Sequence, residues 1–192
     1  MNITLDGYLS GPHCELDWHF ERWNRGMGEK LMRELGAVDA VLLGRTTYLA
    51  MAKYWTGKEM DPFCPREDIA FAAMLNGYPK IVFSNTLEKA EWRNSRIIGG
   101  NIKTEVQKLR KAQQGFDKGI MIYGSGSLVM ELVRLNLVDE YHLWIHPLLL
   151  GRGKPLFHLI QGQSSLELTG AQTFSSGVAL LQYTVLPQRM PQ

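Results

Sequence analysis

Apolar residues recur along this chain in two rhythms. Short unbroken runs at Asp39–Leu43, Lys80–Phe83 and Ile120–Tyr123 have the length and composition of strands buried on both faces. Between them the spacing stretches to three and four. Phe20, Trp23, Met27, Leu31 and Leu35 mark one helix face that Gly36 would end. Asp68–Asn76 is a second helix, closed by Asn76-Gly77. Ile102, Val106 and Leu109 mark a third, and Leu128, Leu132 and Leu135 a fourth.

The ends of the chain read differently. Met1–Leu5 is a scrap of alternating strand running into the Asp6-Gly7 turn, either short by nature or begun part-way. Tyr8–His19, broken at Gly11-Pro12, and Trp55–Glu67, with Gly57, Pro62 and Pro65, read as loops. Arg96–Gly99 is a candidate short strand. From Val138 to His146 the chain alternates Tyr141, Leu143 and Ile145 against His142, Trp144 and His146, as a long strand does. Leu166–Phe174 and Val178–Leu186 flank Ser175-Ser176-Gly177, a hairpin signal. The order predicts one α/β domain over residues 1–192, with a mostly parallel sheet and antiparallel strands at its C-terminal edge.

Composition narrows the functions without choosing one. A net charge of +2, with no basic cluster interleaved with aromatics, argues against nucleic acid. No apolar run is long enough for a membrane span and no signal-peptide pattern opens the chain. Cys14 and Cys64 lack zinc or redox spacing, so the expected setting is cytoplasmic with reduced thiols.

Candidate chemistry gathers where strands end. Gly44-Arg45-Thr46-Thr47, Ser84-Asn85-Thr86 and Gly124-Ser125-Gly126-Ser127 each follow an apolar run and open a turn. If the strands are parallel, the three clusters share the carboxyl rim, where α/β sheets bind ligands. Bare backbone N–H groups, hydroxyls and Arg45 suit a molecule with several phosphates. The same residue types also suit ordinary turns and helix caps, so each cluster alone leaves both readings open.

Other residues tempt less. Asp6 before Gly7 is a natural turn-capping residue, although its place at a strand end puts it on the expected rim. Asp139 and Glu140 are adjacent on a strand, so they face opposite ways and cannot work as a dyad. His142 and His146 share a strand face but have no third ligand nearby in sequence. Trp55, in its expected loop, is the best pocket aromatic, while Trp23 reads as core.

Asp39-Ala40-Val41-Leu42-Leu43-Gly44-Arg45-Thr46-Thr47-Tyr48 resembles the strand-to-helix turn of dihydrofolate reductases and of the RibD C-terminal domain family. Thr4-Leu5-Asp6-Gly7-Tyr8, Phe83-Ser84-Asn85-Thr86-Leu87, Ile122-Tyr123-Gly124-Ser125-Gly126 and Leu137-Val138-Asp139-Glu140-Tyr141 look like further landmarks. So does Pro147-Leu148-Leu149-Leu150-Gly151-Arg152-Gly153-Lys154-Pro155-Leu156-Phe157, and the blocks run in family order over nearly the whole chain.

The resemblance implies a dihydrofolate-reductase-like three-layer α/β/α fold and NADPH-dependent hydride transfer to a small heterocycle. That substrate would be pterin- or folate-like, or like 5-amino-6-(5-phosphoribosylamino)uracil. By motif, Gly44, Arg45, Thr46 and Thr47 would take the pyrophosphate and 2′-phosphate side of the cofactor. Ser84, Asn85 and Thr86 would lie near the adenosine half. Tyr123, Gly124, Ser125, Gly126, Ser127 and Leu128 would cradle the phosphates and pass under the nicotinamide. The segment from Tyr8 to Trp18 would border the substrate, as a lid or as a fixed loop. Asp17, with Asp6, would be the catalytic carboxylate. Related reductases often form dimers through the C-terminal strands, so a homodimer is the expected assembly.

Two departures stand beside the resemblance. Riboflavin-pathway reductases usually carry an acidic residue where this chain has Tyr123, and Leu16-Asp17-Trp18-His19 does not reproduce the folate-reductase motif. A nucleotide-binding module that keeps the cleft without the chemistry is the alternative from another class.

Overall fold

The computed structural model describes residues 1–111, 118–160 and 162–187, apart from the side chain of Glu67. Backbone packing groups the chain into two compact units, Met1–Lys30 with Val129–Gln192, and Leu31–Leu128.

The second unit is built on a parallel sheet. β3 (Ala40–Gly44), β4 (Lys80–Phe83), β5 (Ser95–Ile98) and β6 (Ile120–Gly124) lie in the order β5-β4-β3-β6. Every residue of β3 is buried, as expected of a central parallel strand covered on both faces. β3 feeds α3 (Arg45–Trp55), α4 (Arg66–Gly77) precedes β4, α5 (Ile102–Lys111) follows β5, and α6 (Gly126–Arg134) follows β6. Because β3 lies between β4 and β6, the chain leaves it on one side and returns to its other side at β6.

Packing beneath this sheet includes a polar knot. Asn76 at the end of α4 is 3% exposed; it donates to the Glu59 carboxylate at 2.7 Å and the Trp55 carbonyl at 3.2 Å. Its own carbonyl oxygen accepts from the Trp92 indole at 2.5 Å, and the Trp92 amide donates to the buried Tyr48 hydroxyl at 2.9 Å. Lys80, 1% exposed, donates to the Leu75, Asn76 and Tyr78 carbonyls and so caps the C-terminus of α4. Burial brings its ammonium down to about 8, and the Arg93 charge adds to that.

The first unit carries the antiparallel strands. β1 (Asn2–Thr4) pairs in parallel with β7 (Glu140–His146), and the hairpin β9 (Leu166–Thr173) and β10 (Ala179–Val185) completes the order β1-β7-β10-β9. Ile3, Leu143, Trp144 and Leu180 bury its core. The expected mixed α/β fold is present. The parallel and antiparallel strands nevertheless belong to two separately hydrogen-bonded four-stranded sheets rather than one central sheet.

Three expected boundaries move. The loop expected from Tyr8 contains β2 (Tyr8–Ser10), which pairs with β8 (Lys154–Pro155), and it ends in α1 (Asp17–Phe20). The helix expected to begin near Phe20 is α2 (Arg25–Gly36), because the Asn24 side chain accepts from the Met27 amide at 3.0 Å and caps it there. Phe20 and Trp23 are therefore left off its buried face, 67% and 40% exposed, while Met27, Leu31 and Leu35 are buried. Trp55 is the last residue of α3 and packs edge-on against Phe71 at 5.0 Å. It lies at the opposite end of that eleven-residue helix from the strand-end turn, so it is a packing residue and not a pocket wall.

Candidate functional site

In the parallel unit the expected rim is real: Gly44, Ser84 and Gly124 all stand at or just beyond the carboxyl ends of neighbouring parallel strands. Gly44 sits before α3 with an extended backbone and offers no side-chain cap, so the first-turn N–H groups of α3 have no capping oxygen from that position. α6 begins at Gly126, directly after the neighbouring strand. Neither helix has an acidic residue in its first turn. Two adjacent positive helix ends therefore lack the carboxylates that usually balance them.

Glycine is required at both turns. A Cβ on Gly44 would lie 2.3 Å from Ser125 Oγ and 3.0 Å from the Ser125 amide nitrogen. A Cβ on Gly124, whose φ is +129°, would lie 2.9 Å from Thr47 Oγ1. The two strand ends thus close on one another so tightly that an added Cβ at either glycine would clash. Ser125 and Ser127 hydroxyls are 3.1 Å apart at its edge.

Arg45 is the first residue of α3, a place the helix dipole disfavours for a cation. Its guanidinium donates to Thr86 Oγ1 at 2.9 Å, so the arginine leans across to the turn after β4. That turn is held by Ser84, whose hydroxyl accepts from the amides of Thr86 at 3.2 Å and Leu87 at 2.9 Å. Asn85 reaches the other way and accepts from the Gly100 amide beyond β5 at 2.6 Å. The rim is one connected polar ledge.

Tyr123 departs from the simple picture. The pairing of β3 with β6 skips a residue there, Leu42 opposing Ile122 and Leu43 opposing Gly124, so Tyr123 occupies a bulge. Burial raises its phenol well above the usual value, with the Glu34 charge adding to the effect. The strand pattern gave no sign of this bulge, because a run of apolar residues looks the same with or without one extra member.

The two candidate carboxylates lie in the other unit. Asp6 is engaged on several sides: it accepts from the Thr4 hydroxyl at 2.5 Å and from the amides of Leu150 and Gly151 at 3.0 and 2.8 Å. The Thr4 hydroxyl and the Gly151 amide hold its carboxyl below the usual carboxylate range. Its place is that of a clamp joining the β1 turn to the loop after β7. Asp17 is exposed at the first position of α1. The segment before it is knitted by Glu15, whose carboxylate accepts from the His13 amide and whose carbonyl accepts from the Gly11 amide.

One cluster was not readable in the sequence. His146, at the end of β7, is 1% exposed and meets Trp18 edge-on at 5.0 Å between ring centroids, with His19 at 6.3 Å. Burial lowers the His146 imidazole to about 4, helped by the His19 and Arg22 charges. Among the described residues no cluster of three or more His, Cys, Asp or Glu side chains is arranged to hold a metal ion. No helix of the described chain is long and apolar enough to cross a membrane.

The RibD C-terminal domain family model matches residues 1–180. The chain belongs to that family. Among curated relatives, the uncharacterized protein YyaP of Bacillus subtilis is 34% identical over 94% of this chain and 90% of its own length. A second Bacillus subtilis protein, YwjB, also uncharacterized, is 26% identical over 93% and 91%.

Solved structures agree on the fold. A provisionally assigned riboflavin biosynthesis protein from Shewanella sp. PV-4 superposes with a TM-score of 0.72 at 21% identity, covering 97% of each chain. The deaminase/5-amino-6-(5-phosphoribosylamino)uracil reductase of Thermotoga maritima gives 0.63 at 15% identity, covering 96% of this chain and 55% of that one. This family member therefore has the dihydrofolate-reductase-like α/β fold expected from its motifs.

Proposed function

We propose that the chain is an NADPH-dependent reductase that transfers hydride to a small flat heterocycle, pterin-like or aminouracil-like. The observation that carries the reading is the rim of the parallel sheet, where two helix starts without acidic residues, two obligatory glycines and an arginine set against its own helix dipole converge. A dinucleotide matches this donor set. Amides at the starts of α3 and α6, with the Ser125 and Ser127 hydroxyls, fit a pyrophosphate, and the Arg45–Thr86 pair fits a 2′-phosphate.

When bound, the nicotinamide supplies the hydride and needs no protein nucleophile. What the chain supplies is placement. Gly44 and Gly124 let the backbone approach, Ser84 fixes the turn that carries Thr86, and Asn85 ties that turn to the loop beyond β5. Aligning two rings and excluding water are the main requirements of such a step.

On the family resemblance Asp17, exposed at the start of α1, is taken as the substrate-side carboxylate, while Asp6 is the clamp that holds the loop at Leu150 and Gly151. Asp17→Asn is expected to leave NADPH affinity unchanged and to lower turnover. A kcat equal to that of the unaltered protein would remove Asp17 from the reaction. The function itself is tested by following NADPH absorbance with pterin and aminouracil substrates. Binding without oxidation on any of them would favour the nucleotide-binding module instead.

A further inference from the structure

Buried polar atoms in proteins almost always have partners, and a group of exceptions in one place calls for a shared explanation. Among the described residues four buried side-chain polar atoms lack a protein partner, and three of them are neighbours: Trp18 Nε1, His19 Nδ1 and His146 Nδ1. Their rings lie 5.0 to 6.3 Å apart. All three belong to one unit, and His146 stands at the carboxyl end of β7 beside Thr4 at the carboxyl end of β1.

Resting on the reductase reading above, we infer that His146 Nδ1 and Trp18 Nε1–H together form the polar anchor for the substrate heterocycle, and that they read a lactam edge, an N–H adjacent to a C=O. Asn2 on β1 determines the polarity of this anchor. Its side-chain oxygen lies 2.9 Å from His146 Nε2 and, as an acceptor, selects the tautomer in this proposal: the proton on Nε2 and a lone pair on Nδ1. Trp18 can only donate. An anion has no proton to give to Nδ1, and a cation would face the indole N–H. A neutral group with a donor beside an acceptor satisfies both.

The strand face beside His146 is aromatic: Trp144, two residues earlier on it, is buried with Phe174 at 5.2 Å and Trp23 at 6.3 Å. The cover over His146 is lightly held. α1, which carries Trp18 and His19, has only four residues, buries none of them and has no side-chain cap. Entry of a ring under α1 would exchange an aromatic edge contact for hydrogen bonds that the protein itself does not make.

The test uses the whole protein and two fluorescent probes, lumazine and its N,N′-dimethyl derivative, in which the lactam N–H groups are blocked. Lumazine is expected to bind the unaltered protein and to bind His146→Phe and Trp18→Phe roughly tenfold more weakly or worse, a loss typical of one hydrogen bond. The dimethyl derivative should be weakened similarly with the unaltered protein. NADPH affinity, measured separately, should stay the same in both variants, which also shows that they are folded. An NMR measurement on the unaltered protein supplies a readout free of mutation: lumazine should shift the His146 Nδ1 resonance from that of a free lone pair toward that of a hydrogen-bonded nitrogen. Equal lumazine binding by the variants, equal binding of the dimethyl probe, an unmoved Nδ1 resonance, or no lumazine binding at all would overturn the inference. Failure of NADPH to bind would instead overturn the reductase reading, so the two are separable.

Discussion

A single methyl group at Gly124 would meet Thr47 Oγ1 at 2.9 Å, in a backbone whose φ of +129° side chains rarely adopt. Gly124→Ala should therefore distort the start of α6, lower NADPH affinity by at least tenfold and reduce the melting temperature. Retained affinity in a titration would show that the rim is not the phosphate site. His146 gives a prediction of a different kind. Its folded value of about 4 lies below that of an exposed histidine, so the unfolded chain takes up a proton first as the pH falls. The stability this group contributes is fully present above about pH 6.5 and is lost as the pH drops through 4, to the extent of about 3 kcal/mol. Urea unfolding from pH 7.5 to 4 should show that loss, and His146→Phe should flatten it. Residue-scale placement was legible wherever it coincided with a turn, as at Gly44 and Ser84, which stand at the strand ends expected of them. It was not legible at His146, whose role depends on which distant segment, here α1, lies over its strand face.

Elements held better than their ends. β4 matches its apolar run residue for residue, because Lys80–Phe83 is bounded by breakers on both sides. α2 did not match, because aromatic spacing continued through Phe20 and Trp23 while the physical start was set by the Asn24 cap. A hydrophobic period can run on past a cap; the hydrogen bond decides. The polar knot under the parallel sheet belongs to this scale as well, since Asn76 joins the end of α4 to the end of α3 and to Trp92. Asn76→Ala would leave the Trp92 indole N–H buried without an acceptor and the Trp55 carbonyl without its donor. A destabilisation of about 2–4 kcal/mol is expected in chemical unfolding. A change below about 0.5 kcal/mol would mean that water replaces the lost bonds at no cost.

At the scale of the whole molecule, the alternation of strands and helices was enough to place the chain in the α/β class, and the ordered motifs were enough to name its family. The division into two separately bonded sheets was hidden, because hydrogen bonding between β1 and β7 joins residues more than a hundred positions apart. The rim lies within one of them, since all four of its strands belong to one sheet and one unit. Its charge pattern carries the proposal for the whole ligand: two helix starts without acidic residues and the nearby Arg45 are what the proposed dinucleotide with its extra phosphate would meet. The most direct measurement is a fluorescence titration of the protein and of Arg45→Ala with NADPH and with NADH. Tighter binding of NADPH than of NADH is expected for the unaltered protein. In Arg45→Ala that preference should fall roughly tenfold or more, the loss of one bidentate charge-assisted contact. Equal affinity of the unaltered protein for the two cofactors, or binding of neither, would contradict the account.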